Sequence, residues 1–358
     1  MKHFTLSLTL LGAATLAAHA DFTVRFDHSA DLPAQIVVTR MALSEFNAKA
    51  KSYTYDTIAT SGPAIRFADD AARLITVNPV NDDTNSVRIV ALPDENVTLT
   101  LLGHDMAEAS VSGSPFMQSV ADFNRALRRY SADSLARIAD SGKQTMEFYR
   151  FKQDYILSHR NDDISVWILN MPVAMCAQVI DSISPEVRSG LLAPMYTRAA
   201  ENVADYRSTL IAREAIAPGN MAPSFTLPDI SGRMVSLESL RGRWVLLDFW
   251  ATWCGWCIKG FPEMRQFSQE HSAQCAVVTI DCRESREVWA DYVSSHSMPW
   301  INLWIDPSAD TNPMRSYAVE SLPTKVLIDP EGKIRLVVNG HTDNFFSEVK
   351  SLISSTAR

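Results

Sequence analysis

Phe22, Val24 and Phe26 alternate with Thr23, Arg25 and Asp27, the period-two pattern of a strand with one buried face. Similar short runs span Gln35 to Met41, Leu74 to Val77, Ser86 to Ala91 and Val97 to Leu102. Turn-forming clusters such as Ser61-Gly62-Pro63 and Asn81-Asp82-Asp83 fill the gaps. The pattern predicts a small antiparallel β-sandwich over residues 21–112. From Ser114 the period lengthens. Phe116, Val120, Phe123 and Leu127 recur three or four apart, as do Phe148, Phe151 and Tyr155, and Leu191, Met195 and Ala199. Residues 113–213 are therefore expected to be helical, broken at Pro172, Pro185 and Pro194. The apolar stretch Ile164 to Ile180 contains Asn170, Pro172 and Gln178 and reads as buried helix, not as a membrane span. Ala217-Pro218-Gly219-Asn220 looks like a linker.

Residues 217–358 change again. Val245 to Trp250, Ala276 to Asp281, Thr324 to Ile328 and Ile334 to Val338 are nearly continuous apolar runs. Helical patterns separate the first three, and Phe345, Val349 and Leu352 mark a last helix. Asp329-Pro330-Glu331-Gly332 reads as a hairpin turn. The expected order is βαβαββα, an α/β domain with parallel pairing and helices on both faces.

Composition narrows the function. The net charge of -8 and the absence of a basic block argue against a nucleic-acid binder. Five cysteines in 358 residues are too few for a disulfide scaffold. The start reads as a cleavable leader over residues 1–20: Lys2 and His3, an apolar run from Phe4 to Ala18, and Ala18-His19-Ala20 as the cleavage site. That run is shorter than a bilayer span. No cysteine follows it closely enough for a lipid anchor. The mature chain is thus expected to be periplasmic or otherwise exported, not membrane-spanning, in a compartment where disulfides persist.

The sharpest motif is Trp253-Cys254-Gly255-Trp256-Cys257, directly after an apolar strand and opening a helix. Two cysteines one turn apart can close a disulfide. The first sits where free N–H groups and the helix dipole favour an anion, which lowers its thiol pKa and makes it the nucleophile of disulfide exchange. The second, one turn inside, would resolve a mixed disulfide. A zinc site would need two more ligands, and Cys275 and Cys282 lie seven apart without a histidine pair. A c-type haem would need His where Ile258 stands. A purely structural disulfide would not account for the strand-to-helix turn. The eight histidines show no ligand spacing. No metal or cofactor is expected.

Ala222-Pro223-Ser224-Phe225-Thr226-Leu227, then VLLDFWATWCGWC (Val245 to Cys257) and YAVESLPTKVLIDPEGKI (Tyr317 to Ile334), resemble the TlpA/ResA-like branch of the thioredoxin superfamily. The resemblance runs from Ala217 to about Ser354. The strand-rich and helical region before it is similar to accessory regions that precede such domains in Bacteroidetes. The resemblance implies a thioredoxin-like fold, Cys254 as attacking thiol, Cys257 as resolving thiol and Pro323 as a cis-proline facing the disulfide. That proline would expose the Leu322 backbone to an extended substrate chain. Asp248 matches the buried acid of the superfamily. A carboxylate inside an apolar strand is costly unless it works or is paired, and a raised pKa would let it take the proton of Cys257. Trp253 and Trp256 would form the rim that grips substrate. Two positions depart from the family: Trp256 stands where Pro is usual, adding an N–H expected near the Cys254 sulfur, and Gly260 stands where an acid is common.

The reading is an exported protein-disulfide oxidoreductase whose partners are disulfide-containing proteins and a membrane electron donor that re-reduces the pair. The two N-terminal segments would place or select substrate. A peroxiredoxin-like peroxidase is the first alternative, but it needs Thr three before the nucleophile, and Thr252 is two before. A redox-inert binding module is the second; both cysteines being present argues against it. Cys282, after the run Ala276 to Asp281, is a candidate third thiol near the site, more simply an ordinary buried cysteine.

Overall fold

The structure, a computed structural model, describes residues 20–69, 71–92, 95–306 and 312–355; the expected leader, up to residue 19, lies outside them. The chain divides into two compact units, Met1–Val203 and Ala204–Arg358.

The first unit begins with strands β1 (Ala20–Phe26), β2 (Gln35–Ala42), β3 (Thr54–Ala59), β4 (Ile65–Asp69), β5 (Arg73–Pro79), β6 (Val87–Ala91), β7 (Asn96–Leu101) and β8 (Ser110–Ser112). They form two four-stranded sheets, β4-β1-β7-β8 and β3-β2-β5-β6. Alternate residues of both, including Phe22, Val24, Val97 and Leu99 from one and Ile36, Val38, Ile75 and Val77 from the other, pool in one buried core. That is the expected sandwich, with one correction: β1 and β7 pair in parallel. The chain between them builds the whole second sheet, a crossover long enough for parallel pairing. Strands β3, β4 and β8 were not legible from periodicity. β3 and β4 are edge strands with only one neighbour each, so little of their pattern is fixed by burial.

Helices α1 (Pro115–Asp133), α2 (Ser141–Ser158), α3 (Ile164–Trp167), α4 (Val173–Val179), α5 (Pro185–Arg188) and α6 (Ala193–Ala215) follow. Ser114 caps α1 by accepting the Met117 N–H at 3.3 Å, and Pro115 sits in its first turn. Gly113 enters that cap at φ +87°, and a Cβ there would lie 2.0 Å from the Asn96 carbonyl oxygen, so glycine is required. Phe116, Val120, Phe123 and Ile156 extend the sandwich core. The Ile164 to Ile180 stretch folds as α3 and α4. Among the described residues no helix is long and apolar enough to cross a membrane.

The second unit contains β9 (Thr226–Pro228), β10 (Met234–Ser236), β11 (Trp244–Trp250), α7 (Gly255–Glu270), β12 (Cys275–Asp281), α8 (Arg286–Ser295), β13 (Ile301–Trp304), α9 (Pro313–Ser316), β14 (Thr324–Ile328), β15 (Ile334–Asn339) and α10 (Phe345–Ser355). β9 and β10 make a hairpin, and the main sheet has the order β13-β12-β11-β14-β15. This is the thioredoxin-like α/β architecture; besides the β9–β10 hairpin and the short α9, two things differ from the expected βαβαββα. A four-residue strand, β13, adds an edge, too short to show a period. The sheet is also mixed: β11, β12 and β13 are parallel, whereas β14 is antiparallel to β11 and to β15. A continuous apolar run reports burial on both faces and is silent on strand direction.

The two faces of β11 and β12 separate cleanly. Val245, Leu247, Phe249, Ala276, Val278 and Ile280 face a core closed by Phe225, Leu237 and Tyr317. Trp244, Leu246, Trp250, Cys275 and Val277 face a core shared with α7, α8 and α10 through Phe261, Met264, Trp289 and Phe345. Asp248 and Asp281, by strand alternation, belong to this second face, where the two site cysteines also pack.

Candidate active site

β11 ends at Trp250, and four residues later α7 begins with Cys254 as its N-cap. Cys254 and Cys257 are joined as a disulfide. The Cys254 Sγ accepts the Cys257 N–H at 3.2 Å, one of the donors that the first helical turn leaves free. The two sulfurs are not equivalent: Cys254 is 6% exposed and Cys257 0%. The N–H that reaches the Cys254 sulfur belongs to Cys257, which corrects the expectation that the Trp256 N–H would serve it.

Trp253 and Trp256 flank the pair at 62% and 56% exposure. The Trp256 ring stacks on His341 with centroids 5.3 Å apart, and Lys259 Nζ lies 4.6 Å from its centroid. Trp256 is thus held by two partners, while Trp253 projects more freely. His341 carries no sequence signal, because its contact joins α7 to the segment before α10, whereas Lys259 stands three residues after Trp256 on the same helix.

The Leu322–Pro323 bond is cis, as the resemblance implies. The Pro323 carbonyl accepts the Gly340 N–H at 2.7 Å. Leu322 is half-buried and touches both cores of the unit.

Asp248 is 0% exposed. Its partner is Lys325, directly opposite on β14, with Nζ 3.3 Å from a carboxylate oxygen and its own side chain buried. Neither carboxylate oxygen has a well-aligned hydrogen bond among the described residues, so the contact is one of charge. Burial raises the Asp248 pKa, and Lys325 opposes that rise. Reading the sequence located the acid but missed its cation; a lysine inside the apolar run Thr324 to Ile328 was the available signal.

A second acidic group was also missed. Asp281, at the end of β12, is fully buried and its pKa is pushed up to about 8, first by burial and then by Glu284 beside it. Glu284 accepts the Thr252 N–H at 2.7 Å and the Thr252 hydroxyl. Thr252 is therefore already engaged by a carboxylate.

The other thiols are of a different kind. Cys282 packs in the core on the opposite face of the sheet from the disulfide, and burial pushes its pKa well up. Burial also pushes Cys275 up to about 12 and raises Cys176. These are protonated core thiols. Among the described residues no cluster of three or more His, Cys, Asp or Glu could hold a metal.

Residues 218–337 match the AhpC/TSA family. The chain is 31% identical over 169 residues to the thiol-disulfide oxidoreductase ResA of Bacillus subtilis, covering 47% of this chain and 92% of that one. It is 32% identical over 123 residues to the thioredoxin-like protein YneN of the same organism, covering 34% of this chain and 70% of YneN. Among solved structures, the thioredoxin domain of a thiol-disulfide oxidoreductase from Bacteroides vulgatus is 26% identical with a TM-score of 0.36, covering 38% of this chain and 98% of that one.

Proposed function

The chain belongs to the TlpA/ResA-like thiol–disulfide oxidoreductases and is a thioredoxin-like protein-disulfide oxidoreductase; from that premise we propose that it reduces disulfides of exported proteins through Cys254 and Cys257. The reduced Cys254 thiolate attacks one sulfur of a substrate disulfide, forming a mixed disulfide and expelling the substrate's other sulfur as a thiolate. Cys257, deprotonated with Asp248 as proton acceptor, then attacks Cys254 Sγ. The substrate leaves as a dithiol, and the enzyme is left with the Cys254–Cys257 bond. A membrane electron donor returns two electrons to that bond. Leu322 and Pro323 offer a backbone edge to the substrate chain, and Trp253 and Trp256 grip its apolar side chains.

The observation that carries this reading is the asymmetry of the pair. Cys254 is the slightly more exposed of the two and its sulfur receives an N–H, which favours a thiolate there, while Cys257 is fully covered, as suits a resolving thiol. A peroxidase reading would need a threonine hydroxyl free to act on peroxide, and that of Thr252 is bound to Glu284. Reduction of insulin followed by turbidity, with dithiothreitol as electron source, tests the proposal. The wild type is expected to accelerate precipitation, Cys254→Ser to abolish the effect, and Cys257→Ser to accumulate mixed disulfides. Wild-type protein that leaves the uncatalysed rate unchanged would refute it.

A further inference from the structure

Between β11 and Cys254 the chain passes through Ala251, Thr252 and Trp253. Ala251 is buried, and its carbonyl accepts the Cys254 N–H at 3.0 Å. Thr252 is tied to the neighbouring strand end, its N–H to one oxygen of Glu284 at 2.7 Å and its hydroxyl to the other. Glu284 is itself anchored, its carbonyl accepting the Trp304 indole N–H at 2.9 Å.

Asp281 completes the arrangement. It is opposite Trp250 on β11 and wholly buried. Its Oδ1 accepts the Arg283 N–H at 3.4 Å, whereas Oδ2 has no donor among the described residues. The Glu284 carboxyl is within hydrogen-bonding reach. Two ionised carboxylates are acceptors only and repel one another. A proton on Asp281 turns its unpaired oxygen into a donor and removes the repulsion. Glu284 keeps lone pairs to hold Thr252.

We propose that a protonated Asp281 donates to Glu284 and forms with it a positioning latch, in which this hydrogen bond fixes the Thr252 turn and the Cys254 sulfur beyond it, and loss of the Asp281 proton releases them. The displacement of Asp281 to about 8 by burial and by Glu284 closes the latch at neutral pH and opens it in alkali. Its titratable neighbours in the chain are Cys282, Arg283 and Glu284, and Asp248 lies on the same face of the sheet on β11. Asp306 follows Ile305, whose N–H bonds the Asp281 carbonyl. Cys282 stays a neutral thiol over this range. The proton on Asp281 is therefore the change the turn experiences.

The inference rests on Cys254 as attacking thiol, but its test needs no turnover. In the full chain with Cys257→Ser, alkylation of Cys254 by iodoacetamide is measured across pH. Each rate is divided by the thiolate fraction from ultraviolet absorbance. The wild-type latch predicts a several-fold fall in this normalised rate as pH passes about 8. Asp281→Asn, whose amide donates to Glu284 with no proton to lose, should stay flat. Thr252→Val, which keeps both acids and loses the hydroxyl grip, should show a much smaller fall. A flat wild-type profile with normal labelling overturns the latch alone. So does a full fall in Thr252→Val, because the charge would then act through space and not through the turn. Absence of Cys254 labelling in every variant overturns the nucleophile assignment together with the latch.

Discussion

Asp248 and Lys325 define what single residues contribute here. Each would be costly to bury alone, and together they stand opposite on adjacent strands with 3.3 Å between charges. Lys325→Met keeps the length and removes the charge. An opposite charge at this range lowers a carboxyl pKa by about 1–3 units, so the pH at which Asp248 can accept a proton should rise by a similar amount. Resolution of the mixed disulfide at neutral pH should slow by about tenfold or more and recover in alkali. Stability carries the same sign. The folded pKa of Asp248 is raised above 3.8, so its contribution is complete below that value and is lost as pH rises toward the folded pKa. The variant should stretch this loss over a wider pH span. Urea denaturation at several pH values checks it: identical pH slopes in variant and wild type would show that Lys325 does not act on Asp248. Cys254, Cys257 and Asp248 were legible because local patterns expose them, two thiols one turn apart and one acid in an apolar run. Lys325 and the Asp281–Glu284 pair acquire meaning only from strand register and a loop contact, which join positions far apart in the chain.

At the scale of elements, the start of α7 turns a sulfur into a helix cap. The N-cap position leaves the N–H groups of the next residues unpaired, and the Cys254 Sγ takes that of Cys257. Trp256 lies between them and spends its side chain on His341. Proline at this position would remove an N–H that the sulfur does not use, in a turn that tolerates it. Trp256→Pro should therefore move the Cys254 thiol pKa by less than about one unit, or 1.36 kcal/mol. It should weaken binding of apolar unfolded peptides, since a large exposed ring is lost. Titration by thiolate absorbance and peptide binding by fluorescence polarisation separate the two effects; a larger pKa shift would mean that the Trp256 N–H serves the sulfur after all. Long elements such as α1 and β11 were readable from periodicity because each buries a full face or both faces. β13, β9 and β10 were not, since three or four residues contain too little of any period.

At the scale of the molecule, the change from period two to helical period and then to buried runs anticipated the order of the architecture, from strands to helices to an α/β domain. Strand direction was not accessible, because pairing of β1 with β7 and of β11 with β14 depends on how long connections close. The boundary is the most testable point. The linker-like segment at 217–220 suggests a cut near Ala217, whereas the second compact unit begins at Ala204, inside α6. The last turns of α6 and the residue after them belong to the second unit's core: Ile216 is 5% exposed within it, Ala212 packs against it, and Arg213 pairs with Glu320. A fragment starting at Ala217 discards all three. Loss of the buried isoleucine alone costs roughly 1.5–3 kcal/mol, a shift of roughly 4 °C or more in Tm for a domain of this size. A fragment starting at Ala204 should keep that stability, and both should reduce a small generic disulfide, because the disulfide, Asp248, Lys325 and the acid pair all lie downstream. Thermal melts of the two fragments settle the boundary: equal Tm values would place it at 217. If residues 21–213 select substrate, both fragments should lose rate on the native protein partner while keeping it on the small disulfide. A fragment as fast as the whole chain on that partner would remove the selecting role from the N-terminal unit.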